Sequence, residues 1–327
     1  MSIRVLAVIP SGSGTTSMVF SYRQVDDLKS FGHTVEIFNL RSQTNPWKLL
    51  IDIFRYRMAI RRFRPDIVHA HYGTMTAFFT VYAYLGKVPK VVTFRGSDLN
   101  PALSMSKVRL GVGHLLSQLA ALGSDGIICV STQLRDRLWW KQSLVAVIPT
   151  GVSMNEFFPI PREEARLRLG WNTEVPTVIF NAGTSPEVKR LDLALAAIEI
   201  ARSSLANIRF VVLDGTIEPA MVPMMMNASD CLLCTSDFEG SPTIIQEAMA
   251  CNIPIVSVPV GDVPERLRDV TPSYIVPRDP QLLSDALVEV LRTRPRTNGF
   301  EIALRDVGIE PIVRSLEVVY AAAMIHR

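Results

Sequence analysis

Short apolar runs rich in Val and Ile alternate with longer stretches of helical period along almost the whole chain. The runs at 3–10, 34–40, 67–72, 90–94, 126–130 and 144–148 have the length and β-branched content of strands, and amphipathic segments such as 18–31, 47–63 and 108–122 lie between them. Strands that are apolar on both faces and alternate with helices predict a parallel sheet covered on two sides, the doubly wound α/β pattern. A second series predicts strands at 177–182, 208–213, 230–235, 254–258 and 273–276, with helices at 191–203, 242–250, 280–293 and 310–325. Between the two series, IPTGVSMNEFFPIP (148–161) carries three prolines and a glycine, which places a domain boundary there. The expectation is an α/β chain of two Rossmann-like domains, 1–150 and 151–305, facing each other across a cleft. A last segment, 306–327, carries a helix expected to cross back to the first domain. In open α/β sheets ligands bind at the carboxyl ends of the strands near a topological switch point, so two such domains would share one ligand.

Composition narrows the picture. Of 327 residues 48% are hydrophobic and 20% charged, enough to bury a large core, and neither a Gly-X-Y nor a heptad period is present. Mean hydropathy is +0.23, yet no unbroken apolar run reaches the length of a membrane span: 74–85 is interrupted by Thr, and 244–260 by Gln246, Glu247 and Asn252. No signal peptide is expected, because the first predicted strand begins almost at Met1 with no basic segment before it. The four cysteines lie in apolar runs. Cys231 and Cys234 are three apart on a predicted strand and so point to opposite faces, which favours buried thiols in a reducing cytoplasm over a zinc site. Net charge is +3 but uneven: residues 1–160 hold 18 Lys+Arg against 9 Asp+Glu, leaving the remainder net acidic. A basic first half can attract nucleic acid, a membrane surface or a phosphorylated substrate.

Two stretches have the residue types of a phosphate or sugar site. After the first strand comes Ser11-Gly12-Ser13-Gly14-Thr15-Thr16, a turn in which Gly12 and Gly14 let backbone amides approach a phosphate or sugar. It lacks the third glycine of a dinucleotide fingerprint and the Gly-Lys-Ser/Thr of a P-loop, and the second strand ends in Asn39-Leu40 rather than in an acidic residue, which counts against NAD and ATP. The second stretch is DFEGSPTIIQEAMACNIPIVSVPVGDV (237–263). Glu239 leaves the end of a strand, Ser241 suits an N-cap, Pro242 the first helical position and Thr243 the next, while Glu247 lies within the helix. A helix N-terminus with free amides would bind a diphosphate, Glu247 could accept from ribose hydroxyls, and Glu239 is placed to meet a sugar.

Glu239 and Glu247, with seven residues between them inside EGSPTIIQEAMACNIPIVS, resemble the E-x7-E signature of the retaining glycosyltransferases of family 4, which have the GT-B fold. DIVHAHYG (66–73), VVTFRGSDL (91–99), IPTGVSMNEFFP (148–159) and the interval from Gly183 to Lys189 resemble other family segments, in the same order. The resemblance implies that Glu239 contacts the donor sugar and supports charge at its anomeric carbon, that Glu247 holds the ribose, and that Lys189 neutralises the departing diphosphate. Negative charge grows on that leaving group in the transition state, so a cation there has most to contribute. It further implies a UDP- or GDP-linked sugar as co-substrate and no bound metal. The chain departs from the family where Thr184 follows Gly183 in place of an arginine; Arg190 could supply the missing charge. Arg95 stands where a histidine is common, and 214–227 is shorter than in typical relatives.

Weaker candidates lie in the first domain. His69 and His71 alternate on a predicted strand and should face opposite ways, which makes His71 the better candidate for acceptor or sugar contact, together with Arg95. Asp98 could cap a turn or bind acceptor hydroxyls. The segment WKLLIDIFRYRMAIRRFR (47–64) has apolar positions at 49, 50, 53, 54, 58, 60 and 63 and a cluster of Arg55, Arg57, Arg61, Arg62 and Arg64. It reads either as a helix packed on the sheet with a solvated basic face or as a helix lying on an anionic membrane, with Trp139-Trp140 as a further anchor. Nucleic acid is not expected, because the basic residues are not interleaved with aromatics as in a known module. The resulting expectation is a retaining glycosyltransferase that uses a nucleotide sugar and a carbohydrate or lipid-linked acceptor, in cell-surface polysaccharide assembly at the inner face of the membrane. The alternatives are a non-catalytic module of the same fold that binds a glycan or a partner, and a sugar-nucleotide epimerase.

Overall fold

The computed structural model describes residues 2–11, 18–100 and 106–325. The chain divides into two compact units: residues up to Thr150 together with those from Glu310 onward, and Gly151–Ile309. The first contains β1 (Arg4–Pro10), β2 (Thr34–Leu40), β3 (Ile67–Ala70), β4 (Lys90–Phe94), β5 (Gly126–Cys129) and β6 (Val145–Val147). They form one parallel sheet in the order β2-β1-β3-β4-β5-β6. Helices α1 (Val19–Ser30), α2 (Pro46–Phe63), α3 (Thr74–Tyr82) and α4 (Lys107–Gly123) make the crossovers. The second unit repeats the plan with β7 (Thr177–Asn181), β8 (Arg209–Leu213), β9 (Cys231–Cys234), β10 (Ile255–Ser257) and β11 (Tyr274–Ile275) in the order β11-β10-β9-β7-β8. Strand order reverses between β1 and β3 and again between β7 and β9, so each sheet has one switch point where the loops diverge and a ligand can enter.

The predicted strands formed because they are apolar on both faces: β3, β4 and β9 are buried at every residue, and the helices cover them from two sides. The C-terminal helix Ile309–Ile325 buries Ile312, Val313, Leu316, Tyr320 and Ala323. It packs on the first sheet at Gly126, where an added Cβ would lie 3.2 Å from Val319 Cγ1, so the strand's lack of a side chain admits the helix. Tyr320 Oη lies 2.7 Å from His69 Nδ1, and Glu317 pairs with His33 at 2.9 Å. The four cysteines are free and buried.

Helix α2 carries more apolar surface than the sheet beneath it covers. Its apolar residues form two stripes on opposite sides of the helix rather than one. Tyr56 and Ile60 are buried and Leu49, Ile53 and Phe63 pack with them against Phe38 and Phe79. Trp47 (74% exposed), Leu50, Ile51, Phe54 (67%) and Met58 face away. The arginines are not one solvated face either. Arg55 bonds the buried Asp52 at 2.5 Å, Arg57 donates to the Ala83 carbonyl at 3.0 Å and Arg62 pairs with Glu36. Among the described residues no helix is long and apolar enough to cross a membrane.

Candidate active site

The loops after β7 and β9 meet at the switch point of the second sheet, and short hydrogen bonds lash them together. Thr235, just past β9, donates through Oγ1 to the carbonyls of Lys189 (2.8 Å) and Arg190 (3.0 Å). The Asp237 amide donates to the Val188 carbonyl at 2.9 Å. Arg278, beyond β11, donates to the carbonyls of Ser236 (2.7 Å) and Asp237 (3.2 Å), so a third loop fixes the same turn. Loop backbone held this closely carries its side chains with little freedom, which is what a preorganised site requires.

Lys189 and Glu239 come together here. Lys189 Nζ donates to Glu239 Oε1 at 2.5 Å, and Ser236 Oγ donates to the same oxygen at 2.8 Å. Both side chains are mostly buried. Burial disfavours the Lys189 ammonium, but the facing Glu239 carboxylate outweighs it and lifts the lysine pKa above its ordinary value. The result is a fixed positive charge at the carboxyl edge of the sheet.

The following helix, Thr243–Ala250, starts one residue later than expected. Pro242 occupies the N-cap position and makes no side-chain capping bond. Ser241, expected as the cap, instead donates to Asp262 Oδ2 at 2.8 Å and accepts from Gln246 Nε2 at 2.9 Å. The buried carboxylate competes successfully for the serine hydroxyl, because an unpaired carboxylate in that place would be expensive. The first-turn amides therefore have no side-chain cap and keep their capacity for an anion. Six of the eight helical residues are buried; Thr243 and Glu247, four apart, share the face that is not.

Gly183 and Arg190 flank the lysine turn. Gly183 has φ +51°, and its amide donates to the Leu213 carbonyl (3.0 Å) and to Asn181 Oδ1 (3.1 Å), while Thr184 is exposed. Arg190 is not an unattached second cation. It makes paired bonds of 2.9 Å to Asp192 and one of 3.3 Å to Asp237, and the Asp192 carboxylate raises its pKa.

Sequence reasoning passed over two residues that shape this site. At Gly261 (φ +57°) an added Cβ would lie 2.8 Å from the Gly240 carbonyl oxygen and 3.1 Å from Glu239 Cβ, so the loop after β10 closes on Glu239 only because this residue is glycine. Asp262, next in the chain, binds Ser241 and Arg266; burial pushes its carboxyl up to about 6. The Val-Gly-Asp-Val run was the available signal, a glycine one residue after a strand-like stretch.

In the first unit, Gly12 and Gly14 lie outside the described residues. His69 and His71 do not face opposite ways: two residues apart on an extended chain, whose side chains repeat their direction every second residue, they share one side, and the two rings stack with centroids 4.1 Å apart. Both imidazoles are buried, and burial lowers their pKa, to about 3 for His69 and well below the ordinary value for His71, so both are neutral at pH 7. Arg95 donates to Gln24 Oε1 at 2.8 Å and approaches His71 Nδ1 at 3.4 Å; among the described residues His71 Nε2 has no hydrogen-bond partner. Asp98 accepts from the amides of Gly73 (2.9 Å), Gly96 (2.8 Å) and Arg95 (3.0 Å). Its carboxylate staples the loops after β3 and β4. Among the described residues no group of three His, Cys, Asp or Glu is placed to hold a metal ion.

Comparison with known proteins agrees with this architecture. Residues 10–156 match the profile of Glycosyltransferase Family 4 and residues 199–293 that of Glycosyl transferases group 1. The chain belongs to the family 4 and group 1 glycosyltransferases, with the GT-B fold. It is 25% identical over 248 residues to TuaC of Bacillus subtilis, a glycosyltransferase named for teichuronic acid biosynthesis; the match spans 70% of this chain and 62% of that protein. Among solved structures, sucrose-phosphate synthase from Thermosynechococcus elongatus superposes with TM-score 0.78 at 15% identity, over 99% of this chain and 100% of the other. Anabaena Alr3699/HepE, determined in complex with UDP, superposes with TM-score 0.74 at 16% identity, over 98% and 100%.

Proposed function

We propose that this chain transfers a sugar from a UDP- or GDP-linked donor to a carbohydrate or lipid-linked acceptor, with retention at the anomeric carbon, in the assembly of a cell-surface polysaccharide. The observation that carries the reading is the buried Lys189–Glu239 pair at a sheet switch point, beside a helix start without a side-chain cap. Membership of the glycosyltransferase family and the teichuronic acid assignment of TuaC support the reaction class and its setting. The complex of HepE with UDP makes a uridine nucleotide the first donor to try.

The geometry supports a division of labour. A donor diphosphate would lie against the amides of Thr243 and its neighbours, with Ser241 and Pro242 shaping the turn and Gly183 and Thr184 bordering it. Lys189 would exchange part of its contact with Glu239 for the diphosphate and stabilise the charge that grows there as the bond to the sugar breaks. Glu239, so released, faces the sugar with a carboxylate that offsets positive charge at the anomeric carbon. Glu247, on the same helix face as Thr243, would accept from the ribose hydroxyls. Arg190 adds a second positive charge at the edge of the site, shared with Asp192 and Asp237. The first unit would present the acceptor, with His71 and Arg95 as its sugar contacts.

Helix α2 would rest on an anionic membrane surface at the inner face of the membrane. Its outer apolar stripe supplies the burial, and Lys48, Arg61 and Arg64 supply the attraction, each cation contributing on the order of 1 kcal/mol. The direct test of the reaction is to incubate the protein with UDP- and GDP-sugars and follow release of nucleoside diphosphate, then read the anomeric configuration of the product by NMR. Slow donor turnover that yields a retained anomer supports the reading. Absence of turnover with every donor would leave a binding module.

A further inference from the structure

The first unit holds an apolar hollow of about 150 Å³ that none of the roles above uses. It lies between the chain entering α2 and the first turns of α4, with Gln43 and Thr44 on one side and Leu110, Val112 and Leu116 on the other; Tyr72 and Met75 help to line it. A second hollow of about 230 Å³ shares Leu110 and His114 with it. An apolar cavity of about 150 Å³ takes a group the size of benzene.

Three observations point to its occupant. The hollow lies next to an outward apolar face. Trp47, Leu50 and Ile51 of α2 are exposed on one side, Val108 (78% exposed), Val112 and Leu115 of α4 on the other, and the exposed Trp139 stacks on His114 of the hollow with ring centroids 6.2 Å apart. The surrounding charge is of one sign: Lys107 and Arg109 lie in the first turn of α4, which has no acidic residue, and Lys48 lies in that of α2, which also has none. The one carboxylate lining the hollow, Asp98, is occupied by the three backbone amides described above. Apolar walls bordered by cations fit a molecule with a hydrocarbon chain joined to a phosphate, whereas a free oligosaccharide would leave Leu110, Val112 and Leu116 without a partner.

We propose that this hollow binds the first segment of the hydrocarbon chain of a lipid phosphate acceptor, with Arg109 and Lys107 on its phosphate. The acceptor role rests on the transferase reading above. Of the two acceptor classes that reading allows, the hollow selects the lipid-linked one, and it lets the acceptor enter from the bilayer side of the first unit.

The test is calorimetric titration of the full chain with octyl phosphate below its micelle concentration, against inorganic phosphate and octyl glucoside. Octyl phosphate should bind at least tenfold more tightly than either. Gly113→Leu fills the hollow, because its Cβ starts 3.4 Å from Thr74 Cγ2, and should weaken octyl phosphate at least tenfold. Val112→Glu, at a half-exposed rim position, should do the same if the leucine variant does not fold. Arg109→Gln should remove most of the preference for octyl phosphate over octyl glucoside. Equal binding of octyl and inorganic phosphate, or octyl phosphate binding unchanged in folded Gly113→Leu and Val112→Glu, would overturn the assignment. Nucleotide titrations of the same samples keep the two readings apart: nucleotide bound without octyl phosphate overturns the hollow's assignment alone, and octyl phosphate bound without any nucleotide overturns the transferase reading alone.

Discussion

Lys189 Nζ and Glu239 Oε1 lie 2.5 Å apart, fifty residues apart in sequence, joined because the loops after two neighbouring parallel strands are tied to each other by Thr235 and Asp237. The pair sets a carboxylate and an ammonium side by side where a sugar and a diphosphate would be separated. Glu239→Gln keeps the shape of the side chain and removes its charge. It should lower turnover at least about a hundredfold, the scale for losing one important charge-stabilising contact, with nucleotide affinity equal to or above that of the parent because Lys189 is no longer held. Steady-state kinetics and nucleotide titration check the two halves; near-normal turnover would remove Glu239 from its role.

Gly261 and Gly170 separate backbone strain from steric contact. Both have positive φ, but an added Cβ at Gly170 meets nothing within 4 Å, while at Gly261 it meets the Gly240 carbonyl at 2.8 Å. Gly170→Ala should therefore lose only the conformational preference, about 1 kcal/mol. Gly261→Ala should lose more, about 2–3 kcal/mol, and should also lower turnover by displacing Glu239. Denaturant unfolding and kinetics on the two variants give the comparison.

The buried histidine pair makes the first unit sensitive to acid. The folded pKa of His69 is lowered from 6.5 to about 3 by burial, so the fold favours the neutral ring: this contribution is fully present above about pH 6.5 and is lost as pH falls toward 3. At pH 4.5 the loss is about 2–3 kcal/mol. His69→Gln cannot titrate, so its stability relative to the parent should improve by roughly that amount between pH 7.5 and pH 4.5, measured by urea unfolding. A gap that does not change with pH would show that His69 is charged in the folded protein.

Membrane attachment through α2 has a two-part signature. Removing the charges of Lys48, Arg61 and Arg64 should weaken sedimentation with anionic liposomes at least about tenfold, with donor affinity unchanged. Phe54→Ser, on the outer stripe, should weaken binding to neutral liposomes as well, because it removes burial rather than attraction. Unchanged sedimentation in both variants would leave α2 as a solvent-facing helix.

All eleven strands could be read from the sequence: the central ones, such as β3, β4 and β9, are buried on both faces and so are apolar, and the outer ones, such as β2 and β8, keep short β-branched runs, patterns that need no tertiary information. The same holds for the spacing of Glu239 and Glu247, since a loop and the helix after it are local. Features that depend on a partner distant in sequence could not be read. Ser241 has every local mark of an N-cap, but Asp262 takes its hydroxyl. The shared face of His69 and His71 is a different case, because their i, i+2 spacing on an extended chain alone dictates it. Arg190 looked available until Asp192 and Asp237 were in place beside it. In α2 the apolar positions from 49 to 63 belong to two stripes on opposite sides of one helix, and only the sheet beneath decides which faces inward. The helix Gly299–Asp306 was not predicted, its start following the turn signal Thr297-Asn298-Gly299.

The central claim is that the second unit binds a nucleoside diphosphate at Lys189 and the helix Thr243–Ala250. The most direct measurement is a thermal-shift panel of the parent and Lys189→Met with UDP, GDP, their sugar conjugates and NAD as a control. A ligand at about a hundred times its dissociation constant adds roughly 2.7 kcal/mol to the folded state, a visible shift. The account predicts a shift selective for one nucleoside diphosphate and its sugars, much reduced in Lys189→Met and absent with NAD. A folded parent that shifts with none of them, or a shift that Lys189→Met leaves intact, would contradict it.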